Sequence, residues 1–172
     1  MLAWSRQVKS GDADNLEARA AAFYWRNLFI SLPGFVRERE EAAPNSLLNY
    51  GYAILRAIIA RALVGCGLLP TLGIHHHNKY NAYCLADDIM EPYRPYVDLL
   101  VVEICEEESF PTELTKEIKA RLLALPTLDV EIEGQRRPLM LAATQTATSL
   151  LRCFTGEARR LAYPLLSCEP SD

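Results

Sequence analysis

GIHHHNKYNAYCLADDIMEPYRPYVD, residues 73–98, is the stretch around which the chain is organised. It holds His75, His76 and His77, all the histidines of the sequence, followed by Asp87, Asp88 and Glu91. On a helix Asp88 and Glu91 stand at i and i+3, and Asp87 and Glu91 at i and i+4, so their side chains share a face. Carboxylates at that spacing repel one another unless a cation or a base sits between them. Imidazole nitrogen with carboxylate oxygen is a ligand set that suits Mn²⁺, Zn²⁺ or Mg²⁺, with water completing the shell. Acidic pairs on one helical face are also the ordinary composition of solvated surface, and three successive histidines cannot all face one way. Taken alone, the stretch leaves both readings open.

Outward from it, the chain reads as helical. Asp14 or Asn15 can cap a first helix that runs to about Ile30, where Pro33-Gly34 ends it. FVREREEAAP, residues 35–44, is polar and reads as a loop with a solvated charge run. A long apolar helix follows from Asn45 to about Val64, closed by Gly65 and Gly67. The histidines lie on a connection from Pro70 to Lys79. A third helix is expected from about Ala82 to Glu106, bent at Pro92 and Pro95, and a fourth from Thr112 to Leu125. LDVEIEGQRRPLML alternates around Glu133-Gly134-Gln135 and predicts a β-hairpin near Asp129 to Met140. A last long helix runs from Leu139 to Phe154 and ends near Gly156. The expectation is one domain over residues 1–172, mainly α with a small hairpin, with a flexible tail from about 165.

Composition narrows the function classes. At 172 residues there is room for a core that buries roughly 70% of the unfolded chain's surface. The net charge of -4 argues against a generally basic, sticky protein, so any nucleic-acid contact must come from a local patch. Cys66, Cys84, Cys105, Cys153 and Cys168 have no framework spacing, which predicts reduced thiols in a cytoplasmic protein. The first residues lack the apolar core of a signal peptide. The apolar helix near Ala53 to Leu69 carries Arg56 and Arg61, so it reads as a core helix and not a membrane span.

Two motifs then point to a family. The run NSLLNYGYAILRAIIARALVGCGLLPTLGIHHHNKYNAYCLADDIMEPYRPYVD resembles the metal-dependent DNA integrase of CRISPR adaptation, in the form found with type II (Cas9-associated) systems. The family motif is a glycine, one or two apolar residues, a histidine, a loop, and a helix beginning D-[LI]-M-E-x-[FY]-R-P. Upstream, NLEARAAAFYW, residues 15–25, resembles the family's glutamate motif E-x-x-A-A-x-x-Y. The resemblance spans about Glu17 to Pro164. It departs from the pattern at Ala18, where glycine is common. It also lacks the N-terminal β-rich domain that pairs protomers and contacts DNA in the family. The resemblance thus implies the C-terminal catalytic domain alone, whether by isolation or as a truncated gene product.

The rest follows as what the resemblance implies. Glu17, His76 and Glu91 are the metal ligands, with His75 the alternative if the alignment slips by one residue. His76, Asp88 and Glu91 form the catalytic set, in which Asp88 ligates, orients a water or helps as a base. Asp87 holds the histidine or caps the helix. Lys79 and Arg94 flank the ligands and can neutralise phosphate, Arg94 being equally able to serve as the structural partner of an acid, and Arg136 and Arg137 form a further basic pair at the hairpin. Tyr24, Trp25, Tyr50, Tyr52 and Tyr80 read mostly as core or supporting side chains. The cofactor is Mn²⁺ or Mg²⁺. The implied activity is endonuclease and integrase chemistry that joins the 3′-hydroxyl of a captured fragment to the CRISPR repeat. The implied partners are prespacer and repeat DNA, a second protomer, a small dimeric adaptation protein, Cas9 and a DNA-end-binding ring, with no membrane. Two alternatives stand beside this. One is a catalytically weak fragment serving as a helical interaction domain. The other is a structural zinc site, disfavoured because Cys84 is the only cysteine near the cluster.

Overall fold

The computed structural model describes residue 7, residues 14–38 and residues 43–166. Helix α1 spans Leu16–Leu28 and α2 spans Asn45–Gly65. The histidine connection leads into α3, Cys84–Met90. A 3₁₀ turn over Glu91–Tyr93 joins α3 to α4, Arg94–Glu107. Then come α5, Lys116–Leu123, the strands β1, Asp129–Ile132, and β2, Gln135–Pro138, the helix α6, Leu139–Phe154, and β3, Pro164–Leu165.

The middle of the molecule is α2. Leu47, Gly51, Leu55, Ile59 and Leu63 recur every four residues and are buried, which gives an apolar stripe on which α3, α4, α5 and α6 pack. Each fully buried leucine or isoleucine there contributes roughly 1.5–3 kcal/mol. A Cβ on Gly51 would lie 2.5 Å from Val97 Cγ1, so glycine is what lets α2 and α4 approach. Gly67, at φ +79°, ends the helix in the left-handed region, and Leu68 N donates back to Leu63 O at 2.9 Å. By length and a mean hydropathy of 1.4 this helix could cross a membrane; here its apolar stripe is the core of the fold.

The expected bend in the third helix is a break. Pro92 and Pro95 have no amide hydrogen to donate to the carbonyls four residues back, so the helix tightens to 3₁₀ at Glu91 and restarts at Arg94. The buried Tyr93 anchors the break, its hydroxyl sharing a hydrogen bond with Thr146 Oγ1 of α6 at 2.7 Å.

The hairpin forms as its sequence predicts, with Glu131 opposite Arg136 and Ile132 opposite Gln135. Glu133 and Gly134 take φ of 49° and 73°, the pair of positive values a two-residue type I′ turn requires. A third strand is an addition: Pro164–Leu165 pairs antiparallel with β1, giving the order β2-β1-β3. Tyr96 Oη also donates to Leu165 O at 2.8 Å. A strand therefore holds Leu165, where the tail is expected to begin, and residues 167–172, Cys168 among them, lie outside the described ones.

Three further expectations shift. The first helix stops at Leu28, and Asn15, at φ 52°, makes no side-chain cap bond. The fourth starts at Lys116 because Thr115 is the cap, accepting from Ile118 N at 3.3 Å. In the charge run Arg37 is not simply solvated. It donates to Asn45 Oδ1 at 2.9 Å and Asn49 Oδ1 at 2.6 Å, and stacks on the Trp25 and Tyr52 rings.

Candidate functional site

The histidine connection is wound around one carboxylate. Asp88 Oδ2 accepts from the amides of Ile74 at 2.5 Å and His75 at 2.9 Å. Asp88 Oδ1 accepts from the His76 amide at 3.1 Å and lies 2.5 Å from His76 Nδ1. Partial burial pushes the Asp88 carboxyl up, but the bonds from His75, His76 and Ile74 outweigh it and hold the group below the usual carboxylate range. An ionised carboxylate only accepts, so His76 Nδ1 must donate, which leaves Nε2 as the nitrogen available to another partner. Gly73 makes the winding possible. A Cβ there would stand 2.2 Å from His76 O and 2.8 Å from Cys84 Cβ. A glycine at position 73 is thus a steric requirement of this loop.

Asp87 has different work. Its carboxylate accepts from Arg56 Nε and Asn81 Nδ2, both at 2.7 Å, tying α2 and the loop to the start of α3. Of the two adjacent acids, Asp88 and not Asp87 holds the histidine. Glu91 opens the 3₁₀ turn, and its carboxylate lies 3.4 Å from the Arg94 guanidinium. Desolvation raises the Glu91 carboxyl; Arg94 and His76 pull it down, and the nearby Asp87 and Asp88 charges push it up again. Glu91, His76, Asp87 and Asp88 therefore lie within one another's fields. A cation arriving there would offset the desolvation that mainly raises Glu91, and the repulsion that adds to it. The donor chemistry, one imidazole nitrogen and carboxylate oxygen, fits a divalent ion of the Mn²⁺ or Mg²⁺ kind.

The other expected residues are more scattered. Glu17 is exposed in the first turn of α1. Among the described residues, no three His, Cys, Asp or Glu side chains stand together closely enough to hold a metal. His75 and His77 are exposed, the His75 ring meeting that of His76 edge-on at 5.4 Å. Lys79 is exposed with its Nζ 4.8 Å over the Tyr80 ring. The Arg94 guanidinium lies 4.9 Å over the Tyr52 ring, so Arg94 is a structural partner of Glu91 and Tyr52. Arg136 faces Asp129 at 3.8 Å, and Arg137 bonds to Gln135.

Tyr24 and Tyr52, read from the sequence as core or supporting side chains, meet on an aspartate that reading does not single out. Asp98 is 2% exposed, and the hydroxyls of Tyr24 and Tyr52 both donate to it, Tyr24 at 2.7 Å. Desolvation pushes the Asp98 carboxyl up despite those bonds, and both phenols are raised by burial and by the Asp98 charge. The available signal is an aspartate inside the apolar run YVDLLVV, where only a partnered carboxylate is tolerable.

A mainly helical domain with a small antiparallel sheet, in which a histidine loop is cinched to a helix beside an acidic turn, is a fold with a solved counterpart. The structure entitled "Casposase bound to integration product" superposes with a TM-score of 0.73 at 22% identity, covering 89% of this chain and 50% of that one. The family model "CRISPR associated protein Cas1" matches residues 6–124. The "CRISPR-associated endonuclease Cas1" of Neisseria meningitidis serogroup C (strain 8013) is 39% identical over 92% of this chain and 51% of its own length. The "CRISPR-associated endonuclease Cas1 2" of Pyrobaculum aerophilum is 35% identical over 80% of this chain and 47% of its own. The chain belongs to the Cas1 family. It spans about half the length of these curated relatives.

Proposed function

We propose that this chain is the catalytic part of a divalent-metal-dependent DNA endonuclease and integrase of CRISPR spacer acquisition. One observation carries the reading: Asp88 bonds the His76 ring at Nδ1, and His76 and Glu91 are near enough for one charge to act on the other, in a chain of the Cas1 family. His76 Nε2 and Glu91 would hold Mn²⁺ or Mg²⁺, with Glu17 of α1 as the third donor. When bound, the ion supplies Lewis-acid polarisation of the scissile phosphodiester. The protein's own part is positional. Asp88 keeps the imidazole oriented, with Nδ1 committed to the carboxylate and Nε2 left to ligate, the outer-shell arrangement that sustains metal-ligating histidines. Arg94 balances the charge on Glu91 until the site is filled. Lys79 is the exposed cation beside the histidine loop and is the residue to meet a phosphate, while Arg136 and Arg137 offer a second contact along the backbone. The nucleophile is the 3′-hydroxyl of a captured fragment, and the product is that fragment joined to the CRISPR repeat. With water in its place the same site cuts DNA.

The reading carries its setting with it: prespacer and repeat DNA in the cytoplasm, a second protomer, a small dimeric adaptation protein, Cas9 and a DNA-end-binding ring. This chain alone would be a poor integrase, because two sites at a fixed spacing and a basic surface between them are needed, and its net charge is -4. A second reading, a catalytically weak fragment that serves as a helical interaction domain, is favoured by the lack of three assembled donors among the described residues. A disintegration assay on branched DNA separates the two. Strand resolution with Mn²⁺ that is lost with chelator and in Glu91→Ala supports the enzyme. No resolution by the wild-type chain, with Mn²⁺ present and the fold intact, favours the interaction domain.

A further inference from the structure

Glu17 and Glu91, the two carboxylates assigned above to one site, come from segments far apart in sequence, so the packing of α1 must set the distance between them. Tyr24 follows Glu17 by seven residues on α1, which on an α-helix places the two within about 20° of the same direction. The Tyr24 hydroxyl donates to Asp98 Oδ2 at 2.7 Å, and the Tyr52 hydroxyl of α2 donates to Asp98 Oδ1. Asp98 lies one turn along α4 from Arg94, which faces Glu91 at 3.4 Å and covers the Tyr52 ring. A continuous set of contacts therefore runs from Glu91 through Arg94, Tyr52 and Asp98 to Tyr24, and two turns of rigid helix lead from there to Glu17. Apolar packing of α1, such as Trp25 against Phe35, tolerates sliding; hydrogen bonds to a buried carboxylate are directional and do not.

We propose that Tyr24, Asp98 and Tyr52 form a register clamp, positioning residues that fix α1 against α2 and α4 and so keep Glu17 where an ion held by Glu91 can draw it in, the three donors not being grouped among the described residues. The clamp rests on the reading of Glu17 and Glu91 as donors to one site. It does not touch substrate. Its function is to convert packing of three helices into one setting of two distant carboxylates.

The test is Mn²⁺ titration calorimetry on the chain and on Tyr24→Phe, Tyr52→Phe, Glu17→Ala, Glu91→Ala and the Tyr24→Phe/Glu17→Ala double variant. Thermal melts without metal establish that each is folded. The phenylalanines keep the rings and remove only the hydroxyls. Tyr24→Phe should weaken Mn²⁺ binding by up to about tenfold, the low end of what removing a group bonded directly to a ligand costs, since Tyr24 acts on Glu17 only through the helix. The double variant should bind no more weakly than Glu17→Ala alone, because a misplaced Glu17 has little left to lose. A merely structural tyrosine would lower the melting temperature and leave the two effects additive. Additive effects, or full affinity in both tyrosine variants while Glu17→Ala and Glu91→Ala are weakened, would overturn the clamp and spare the site. Unchanged affinity in Glu17→Ala with a loss in Glu91→Ala would remove Glu17 from the site, and the clamp with it.

Discussion

The two halves of the candidate site are built in different ways. Around Asp88 a single carboxylate takes three backbone amides and an imidazole nitrogen from residues 12 to 14 positions earlier, and Gly73 gives the turn its space. On α1 Glu17 stands in an exposed first turn whose cap residue makes no side-chain bond, and the helix is tied down further along by Tyr24 and Trp25. The first half is dictated by local sequence, all its bonds being made between residues 74–76 and Asp88. The second depends on how a separate helix docks. A site divided in this way can be blunted at either half, with different signatures.

The largest effect is expected at Glu91. Glu91→Ala should lower metal-dependent turnover by about 10³-fold, near 4 kcal/mol of barrier, without unfolding the protein. The pH sign makes this sharper. The Glu91 carboxyl is raised in the fold, so the native state disfavours its charge, and stability falls as pH rises from the unfolded value through the folded one. Glu91→Gln should therefore lose activity yet melt slightly higher than wild type without metal. A lower melting point would mean that Glu91 supports the fold.

Asp88→Asn should act on both stability and binding. An amide cannot accept from all four donors and turns its own N–H groups toward them, at a cost of about 3 kcal/mol. Because the Asp88 carboxyl is lowered, its contribution is present at neutral pH and disappears as pH falls through the folded value, below the ordinary aspartate range. Acid melts of wild type and Asp88→Asn should converge there. Parallel curves down to that range would contradict the cinch.

Gly73→Ala probes the same half more gently. The added Cβ meets His76 O at 2.2 Å, so the loop must shift, at about 2 kcal/mol, with a matching loss of metal affinity. An unchanged melt would show that the loop has room to spare. The smallest effects belong to the rim. Arg136→Ala and Arg137→Ala should change stability by under ~0.5 kcal/mol, since their partners are solvent-exposed, and each should reduce the salt slope of DNA binding by about 1.

The same division governs what the sequence discloses. The run from Asp87 to Pro95 is partly legible: helical spacing brings Asp87, Asp88 and Glu91 into one neighbourhood, and the prolines mark an interruption that the sequence reads as a bend and the fold makes a break. The hairpin is legible for a similar reason, since Glu133-Gly134 is a local turn signal. The roles of Asp87 and Asp88 are not legible, because adjacent residues on a helix point to different neighbours, and only the fold decides that Arg56 meets one and His76 the other. Nor is the Asp98 cluster, where three helices meet, or β3, a two-residue strand that exists only because β1 offers an edge beside Tyr96.

Amide hydrogen exchange at single-residue resolution, with chelator present, tests directly whether the histidine half is assembled before metal arrives. The amides of Ile74, His75 and His76 lie in an exposed loop but are bonded to Asp88. They should exchange slowly in the metal-free protein and at open-loop rates in Asp88→Asn. Open-loop exchange in the metal-free wild type, slowed only on adding Mn²⁺, would show that the ion and not Asp88 builds the loop, and would contradict the account.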